Sequence, residues 1–281
     1  MKSTIFSLIE KDVSAFPSMP GAAAKLLKLL RNPDSSTAEV ENILRCEPGL
    51  TANILKMTNS AYFGLTNRVG SIRQAMVLLG WKRLYQLVIA SCVSAMMDKP
   101  VPGYDLPAGE LWRHSIAVSA AAEGLAKELQ LSGTDEIFTA GLLHDVGKMI
   151  LGKFVEQDLV KIDFETYHNL SFEKVEQDIL GTDHAEVGAR ILEKWRLPAE
   201  MIAAVRWHHE PENAPSISQM GDVVHVADFI SLMIGVGVGR EGLQYEPSKA
   251  VTRRLGIHIG HIEKIASQTL EWVSDLTASF K

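Results

Sequence analysis

The run Ala140-Gly141-Leu142-Leu143-His144-Asp145-Val146-Gly147-Lys148 decides how this chain is read. An apolar approach delivers a histidine and an aspartate side by side, and a glycine and a lysine follow within one turn. Aspartate is rarely buried unless it is paired or holds a metal. The rest of the chain supplies candidate partners: His114, His184, the pair His208-His209, and Asp228. Imidazole and carboxylate are the ligands expected around zinc, manganese, iron and similar ions. The second half of the chain therefore reads as helices converging on His144-Asp145.

Composition sets the bounds. With 281 residues and 46% hydrophobic content, the chain can build one large domain or two modest ones. The longest apolar candidate for a membrane span, Leu84 to Met97, is interrupted by Gln86, Ser91 and Ser94, so it reads as a buried helix. A net charge of -6 argues against a broad nucleic-acid surface, which needs clustered lysine and arginine. The N-terminus, Met1 to Asp12, mixes charges with apolar residues and lacks the long apolar core of a signal peptide. With only Cys46 and Cys92, this predicts reduced thiols and a cytoplasmic location.

Helical period dominates and strand signals are scarce. The first stable element is expected at Pro20 to Leu30, stopped by Asn32-Pro33. Ser36 and Glu39 form a capping-box pattern for the next helix, and Pro48 starts another. Ala61-Tyr62-Phe63-Gly64 reads as a turn. Ile72 to Leu79 is a short helix closed by Gly80, and Trp81 to Met97 a long one. Lys99-Pro100-Val101-Pro102-Gly103 is the expected linker, which divides the chain into a first lobe, 1-100, and a second, 104-281. In the second lobe, helices are expected over Pro107 to Leu129, from Thr134 to the His-Asp pair, over Ser171 to Leu180, over Asp183 to Trp195, from Pro198 to His208, over Ser218 to Ile234 and over Ile259 to Ala278. Asp163 to Asn169 is expected to be a loop. Gly235 to Gly242 reads as a glycine-rich bend with a single arginine and not as a phosphate loop.

The order His114, His144-Asp145, His184, His208-His209, Asp228 resembles the HD superfamily of metal-dependent phosphohydrolases. The whole chain resembles something narrower, the HDOD proteins, bacterial signalling modules related to HD domains. The residues that carry this are Phe16-Pro17-Ser18-Met19-Pro20, Asn59-Ser60-Ala61-Tyr62-Phe63, Leu111-Trp112-Arg113-His114-Ser115, Leu142 to Lys148, Asp183-His184-Ala185-Glu186-Val187-Gly188 and Trp207-His208-His209-Glu210-Pro211. The match runs from about Val13 to Ile234. It implies an all-α fold of two packed helical lobes, the C-terminal one an HD-domain-like bundle, and a role in bacterial signal transduction.

The resemblance also implies a ligand set. His114, His144, Asp145 and Asp228 would hold one divalent transition-metal ion. Asp145 could bridge to a second ion held by His184 and one or both of His208 and His209. Fe, Mn, Zn, Co and Ni all suit such mixed ligation. Asp145 and Lys148 would be the catalytic candidates, Lys148 by steadying a phosphate. HDOD proteins are generally regarded as lacking established hydrolase activity, and many have lost part of the metal set; this chain keeps it nearly whole. HD-GYP phosphodiesterases continue the His-His-Glu run with a Gly-Tyr-Pro loop, whereas here Pro211-Glu212-Asn213-Ala214-Pro215 follows.

Blander readings stand beside these. The ordered set could be a relic hydrogen-bond network, and Lys148 could simply favour the negative end of its helix. His168, His225, His258 and His261 read as surface or hydrogen-bonded core residues. Arg113 diverges from His114 by about 100° on a helix, and Lys82-Arg83 reads as a solvated turn. Three functions follow in order: a regulatory module contacting a protein partner, a metal-dependent phosphohydrolase acting on a nucleotide or cyclic dinucleotide, and a sensor that binds a small nucleotide without cleaving it.

Overall fold

Helix-forming signals written into the sequence become helices at nearly every point of the chain. The computed structural model describes residues 2–132, 134–159, 170–240 and 246–278. Among these residues the protein is all-α, with one isolated antiparallel bridge between Val101 and Leu106. The expected loop Asp163 to Asn169, with His168, lies outside the described residues, as does the end of the glycine-rich bend.

The chain divides into two compact units. One comprises Met19–Met96 with the chain from Leu270 onward. It holds α2 (Gly21–Leu30), α3 (Thr37–Arg45), α4 (Pro48–Thr58) and nearly all of α5 (Ile72–Met97). The capping box opens α3: Glu39 N–H donates to Ser36 Oγ at 3.3 Å, and Ser36 N–H donates to Glu39 Oε2 at 2.7 Å. The second of these bonds, with that from the Ser36 hydroxyl, holds the Glu39 carboxyl below its ordinary range. Gly80 takes φ 80°, ψ 174°, so α5 is two helices joined at a kink, as the sequence indicates. By length and composition α5 could cross a membrane, but half of its apolar stretch is buried inside the protein. Lys82-Arg83 lies on α5 and not in a turn: the Arg83 guanidinium sits 5.9 Å over the Phe63 ring and donates to Gln86. Tyr62 meets Phe63 and Trp272 edge-on, with ring centroids 5.1 and 5.9 Å away.

The other unit comprises Met1–Ser18 and Met97–Thr269. Its centre is α6 (Glu110–Glu128), packed against α7 (Thr134–Leu143) and α12 (Gln219–Met233). Ala117, Ala120, Ala121 and Ala122 are fully buried along α6. A side chain on Gly141 would come within 3.0 Å of the Ser119 backbone, so glycine is what lets α6 and α7 approach this closely. Around them lie α8 (Lys148–Leu159), α9 (Phe172–Leu180), α10 (His184–Lys194), α11 (Ala199–Arg206), α13 (Lys249–Arg254) and most of α14 (Ile259–Ala278).

The two ends of the chain depart from a division in chain order. The first helix is α1 (Lys2–Ala15), ahead of the expected start at Pro20, and it packs on α8, α9 and α10. Ile9 and Val13 are buried there. Lys194 Nζ donates to the carbonyls of Ser14 and Phe16, both at 2.6 Å, satisfying groups that a helix end leaves open. Trp195 Nε1 donates to the Pro17 carbonyl at 3.0 Å. The stretch Leu270 onward belongs with the unit that holds Tyr62 and Phe63. These attachments arise between residues far apart in sequence, which local period does not name.

Candidate metal centre

Seven side chains and a lysine meet inside the second unit. His114 projects from α6. His144 and Asp145 sit in the four-residue turn between α7 and α8, and Lys148 opens α8. Asp183 caps α10 by accepting from Glu186 N–H at 2.7 Å, which starts that helix on His184. His208 and His209 follow the end of α11, and Asp228 lies on α12. His114, His144, Asp145, Lys148, His184, His208 and Asp228 are each 3% exposed or less. His209 is half-buried, which gives the cluster one edge toward solvent.

Gly147 sets the spacing of this turn. A Cβ on Gly147 would stand 1.9 Å from the His184 carbonyl oxygen and 2.7 Å from Gly188 N, both backbone atoms that cannot rotate aside. Gly147→Ala is therefore expected to cost at least about 3 kcal/mol, the upper part of the usual range for overpacking. Urea unfolding would read this as a lower midpoint with an unchanged slope.

Hydrogen bonds on the far side of each ring determine what the centre offers. Nδ1 of His114 bonds the Val236 carbonyl at 3.0 Å, Nδ1 of His144 the Gly141 carbonyl at 2.7 Å, and Nδ1 of His208 the Val205 carbonyl at 2.7 Å. A carbonyl only accepts, so each Nδ1 carries the proton and each Nε2 is left with a lone pair. Those lone pairs face carboxylate oxygens. Asp145 Oδ2 lies 3.3 Å from His144 Nε2 and 3.5 Å from His114 Nε2. Its Oδ1 lies 3.4 Å from His184 Nε2 and 3.9 Å from His208 Nε2. Asp228 Oδ1 stands 3.0 Å from His114 Nε2 and 3.7 Å from His144 Nε2. His184 Nε2 and His209 Nε2 are 2.7 Å apart.

This donor set fits a cation. Lone pairs that face one another inside a protein repel unless a proton or a metal lies among them. Asp145 Oδ1, Asp228 Oδ1, His144 Nε2 and His208 Nε2 are buried and make no hydrogen bond. Three overlapping trios have all their ligand atoms within 4.8 Å of one another: His114, His144 and Asp145; His144, His208 and Asp228; and His184, His208 and His209. Asp145 turns one oxygen to His114 and His144 and the other to His184 and His208, which is the disposition a bridging carboxylate needs.

Electrostatics divide the imidazoles. Burial works against charge on His184, yet Glu176 reverses this and pushes the ring up to about 9. His114 is likewise held above its ordinary value, burial being outweighed by the Asp228 carboxylate beside it, with Asp145 adding to the effect. Burial, with the charges of His144 and His184, drives His208 down to about 3, and burial lowers His209 as well. Burial opposes ionisation of Asp145, but His144 and the Lys148 ammonium outweigh it and hold the carboxyl well below its usual range. Asp228 is lowered in the same way, through His114 and His144.

Lys148 does not extend free into an open site. Its ammonium pairs with Asp145 Oδ2 at 2.6 Å and lies 5.4 Å over the Tyr104 ring. Arg113 turns away and pairs with Glu110 at 3.3 Å. His225 is a hydrogen-bonded core residue: its Nδ1 bonds the His208 carbonyl at 2.7 Å, and its Nε2 accepts from Ser248 N–H at 2.9 Å. It thus ties His208 to the start of α13, a short helix that the sequence reading passes over. His258 and His261 stack on each other, 3.6 Å between centroids, on the surface.

Two contributors escape the sequence reading. The glycine-rich bend is one, because its Val236 carbonyl orients His114. Gly237, at φ 66°, passes so close that a Cβ would lie 2.4 Å from His114 Cβ. The other is Glu176, 2% exposed, whose carboxylate holds His184. A signal for it existed, since Glu173, Glu176 and Leu180 recur at helical spacing on the buried face of α9.

With this geometry, the chain belongs to the HDOD domain family, whose pattern it matches over residues 16–211. That match contains all of the clustered site residues except Asp228, and it is shorter than the Val13 to Ile234 resemblance read from motifs. A protein of Shewanella amazonensis SB2B, provisionally named a phosphohydrolase, superposes with a TM-score of 0.76 at 24% identity, over 97% of this chain and 98% of its own. An HDOD domain protein of unknown function from Geobacter sulfurreducens gives a TM-score of 0.72 at 24% identity, over 98% and 97%. At these identities the likeness is one of fold. An uncharacterized protein of Treponema pallidum (strain Nichols) is 24% identical over 209 residues, 74% of this chain and 40% of that protein. Ribonuclease Y of Deinococcus radiodurans is 30% identical over 145 residues, 51% of this chain and 19% of the enzyme. The chain thus spans well under half the length of these two relatives.

Proposed function

We propose that this HDOD chain is a bacterial, cytoplasmic signal-transduction module that binds one or two divalent transition-metal ions at its His-Asp centre. The ion would be structural or sensory. His114, His144, Asp145 and Asp228 would hold one ion, and His184, His208 and His209, with Asp145 between the sets, a second. The observation that carries this reading is the convergence of bare Nε2 and carboxylate atoms in a buried cluster whose members are 3% exposed or less, His209 excepted. A site so enclosed suits a metal that holds a conformation better than one that must admit and release substrate. The module would act on a regulatory protein partner.

A second reading is a metal-dependent phosphohydrolase acting on a nucleotide or cyclic dinucleotide. It is favoured by the half-buried His209, which opens one edge of the cluster, and by the likeness to ribonuclease Y. A bound divalent ion would lower the pKa of a coordinated water and neutralise phosphate charge. For its part the chain would hold the imidazoles in one tautomer, keep Asp145 ionised and bring the Lys148 ammonium to the same carboxylate.

The two readings are separated by loading the protein with Mn, Fe or Mg and screening nucleotides and cyclic dinucleotides for products. The module reading expects a metal-dependent rise in melting temperature and no turnover. Turnover in the wild type that disappears in Asp145→Ala would replace it with the hydrolase. A nucleotide that shifts the melt without being cleaved would point to a sensor.

A further inference from the structure

Burying an imidazole whose Nε2 must face other ligands requires something behind the ring. For three histidines a backbone carbonyl does this. His184 differs. Its Nδ1 is 2.7 Å from Glu176 Oε2, and the same oxygen accepts from the His184 backbone N–H at 3.0 Å. The other oxygen of Glu176 accepts from the Tyr104 hydroxyl. Tyr104 is fully buried and Glu176 nearly so. The Tyr104 ring also meets the His184 ring edge-on at 6.0 Å and lies under the Lys148 ammonium at 5.4 Å. Every polar atom of this chain of contacts is thus committed, and it runs inward to one ligand nitrogen.

A carboxylate is costly at this depth unless each oxygen is satisfied. Glu176 meets that condition with three donors, two of them from His184. Glu176 belongs to α9, but its Oε2 accepts from the backbone N–H of His184, the first residue of α10, so its charge also lies at the favourable end of that helix dipole. A carbonyl would have fixed the tautomer equally well. What a carboxylate adds is negative charge, which raises the basicity of the ring it holds and strengthens a bond from the opposite nitrogen to a cation.

We propose that Glu176, oriented by Tyr104, is a positioning residue for the metal site: it fixes His184 as the Nδ1–H tautomer and strengthens Nε2 as a ligand. This rests on the metal-binding reading above and assigns a function to two residues outside the His-Asp motif. Glu176 does not touch the metal position itself. It acts through His184 on the trio His184, His208 and His209, so the two trios that contain His144 should be little affected.

The test is a Co2+ titration of the full chain, followed by visible absorption, in the wild type, Glu176→Gln, Glu176→Ala and Tyr104→Phe. Histidine tautomers are read in parallel from the metal-free proteins by long-range 1H–15N correlation, on the alkaline side of about 9, where the His184 ring is neutral. Glu176→Ala is expected to weaken one class of site about 10–100-fold, the usual consequence of losing an outer partner. Glu176→Gln, which keeps an accepting oxygen, should recover part of that loss, and Tyr104→Phe should cost less than either. The wild-type His184 signal should show Nδ1–H alone, and Glu176→Ala should show both tautomers. Should Glu176→Ala not fold, Glu176→Gln and Tyr104→Phe carry the comparison. Wild-type affinity in all folded variants, with an unchanged His184 signal, would overturn the proposal while leaving the metal reading intact. A wild type that takes up no Co2+ at all would overturn both.

Discussion

Asp145→Asn is expected to abolish metal binding and, in the same stroke, to destabilise the metal-free protein. Asparagine keeps the volume and removes the charge. The loss of affinity should exceed the 10–100-fold that outer-partner changes cost, because Asp145 faces four imidazoles at 3.3 to 3.9 Å. The stability effect comes from Lys148. Its ammonium is 3% exposed and pairs with Asp145 at 2.6 Å. Breaking a buried pair by removing one partner costs about 3–5 kcal/mol, since the remaining charge is stranded. Lys148→Met with Asp145→Asn should recover part of that stability and none of the metal binding. A titration followed by denaturant unfolding of the three proteins checks both halves.

The second large effect is acid sensitivity of the metal-free protein. His208 is held near 3, against 6.5 for an unperturbed ring, and His209 is lowered too. Between these values an unfolded chain takes up protons that the folded chain refuses, so stability falls as pH drops from about 6.5 toward 3. Asp145 and Asp228, both lowered, add to the loss once pH falls below their ordinary 3.8. His184 works in the opposite sense. Raised to about 9, it contributes stability that is complete below 6.5 and lost as pH rises through 9. Each pKa unit corresponds to about 1.4 kcal/mol, so the acid limb should amount to a few kcal/mol. Urea midpoints of metal-free protein from pH 4 to 10 should trace a dome that falls off on both sides of neutral pH. A loaded protein should lose its alkaline limb and shed metal on acidification, because the ligands must be deprotonated. A flat profile in metal-free protein would show that the rings are not placed as described.

Much of the centre was legible because its ligands carry local signatures. His144-Asp145 ends an apolar run, Asp183 caps the helix that His184 opens, and His208-His209 closes another. These are statements about neighbours in sequence, and the fold preserves them. The capping box at Ser36 and the break at Gly80 were readable for the same reason. What was not legible depends on partners far away. The first helix reads as a mixed segment until Ile9 and Val13 find α8 to α10, and Lys194 reaches the end of that helix from nearly the other side of the sequence. The Val236 carbonyl behind His114 is a backbone group with no residue type to flag it. Lys148 is the instructive case, because its placement one turn from His144 was evident, while its commitment to Asp145 followed only from the turn geometry.

The most direct test is elemental analysis of untagged protein that has never met a nickel column, with Asp145→Ala treated identically. One or two transition-metal ions per chain in the wild type, absent from the variant, is the result expected of a live His-Asp centre. A well-folded wild type that remains metal-free after reconstitution would contradict it. The converging imidazoles would then be a buried polar network, and the protein's activity would have to be sought in its partners alone.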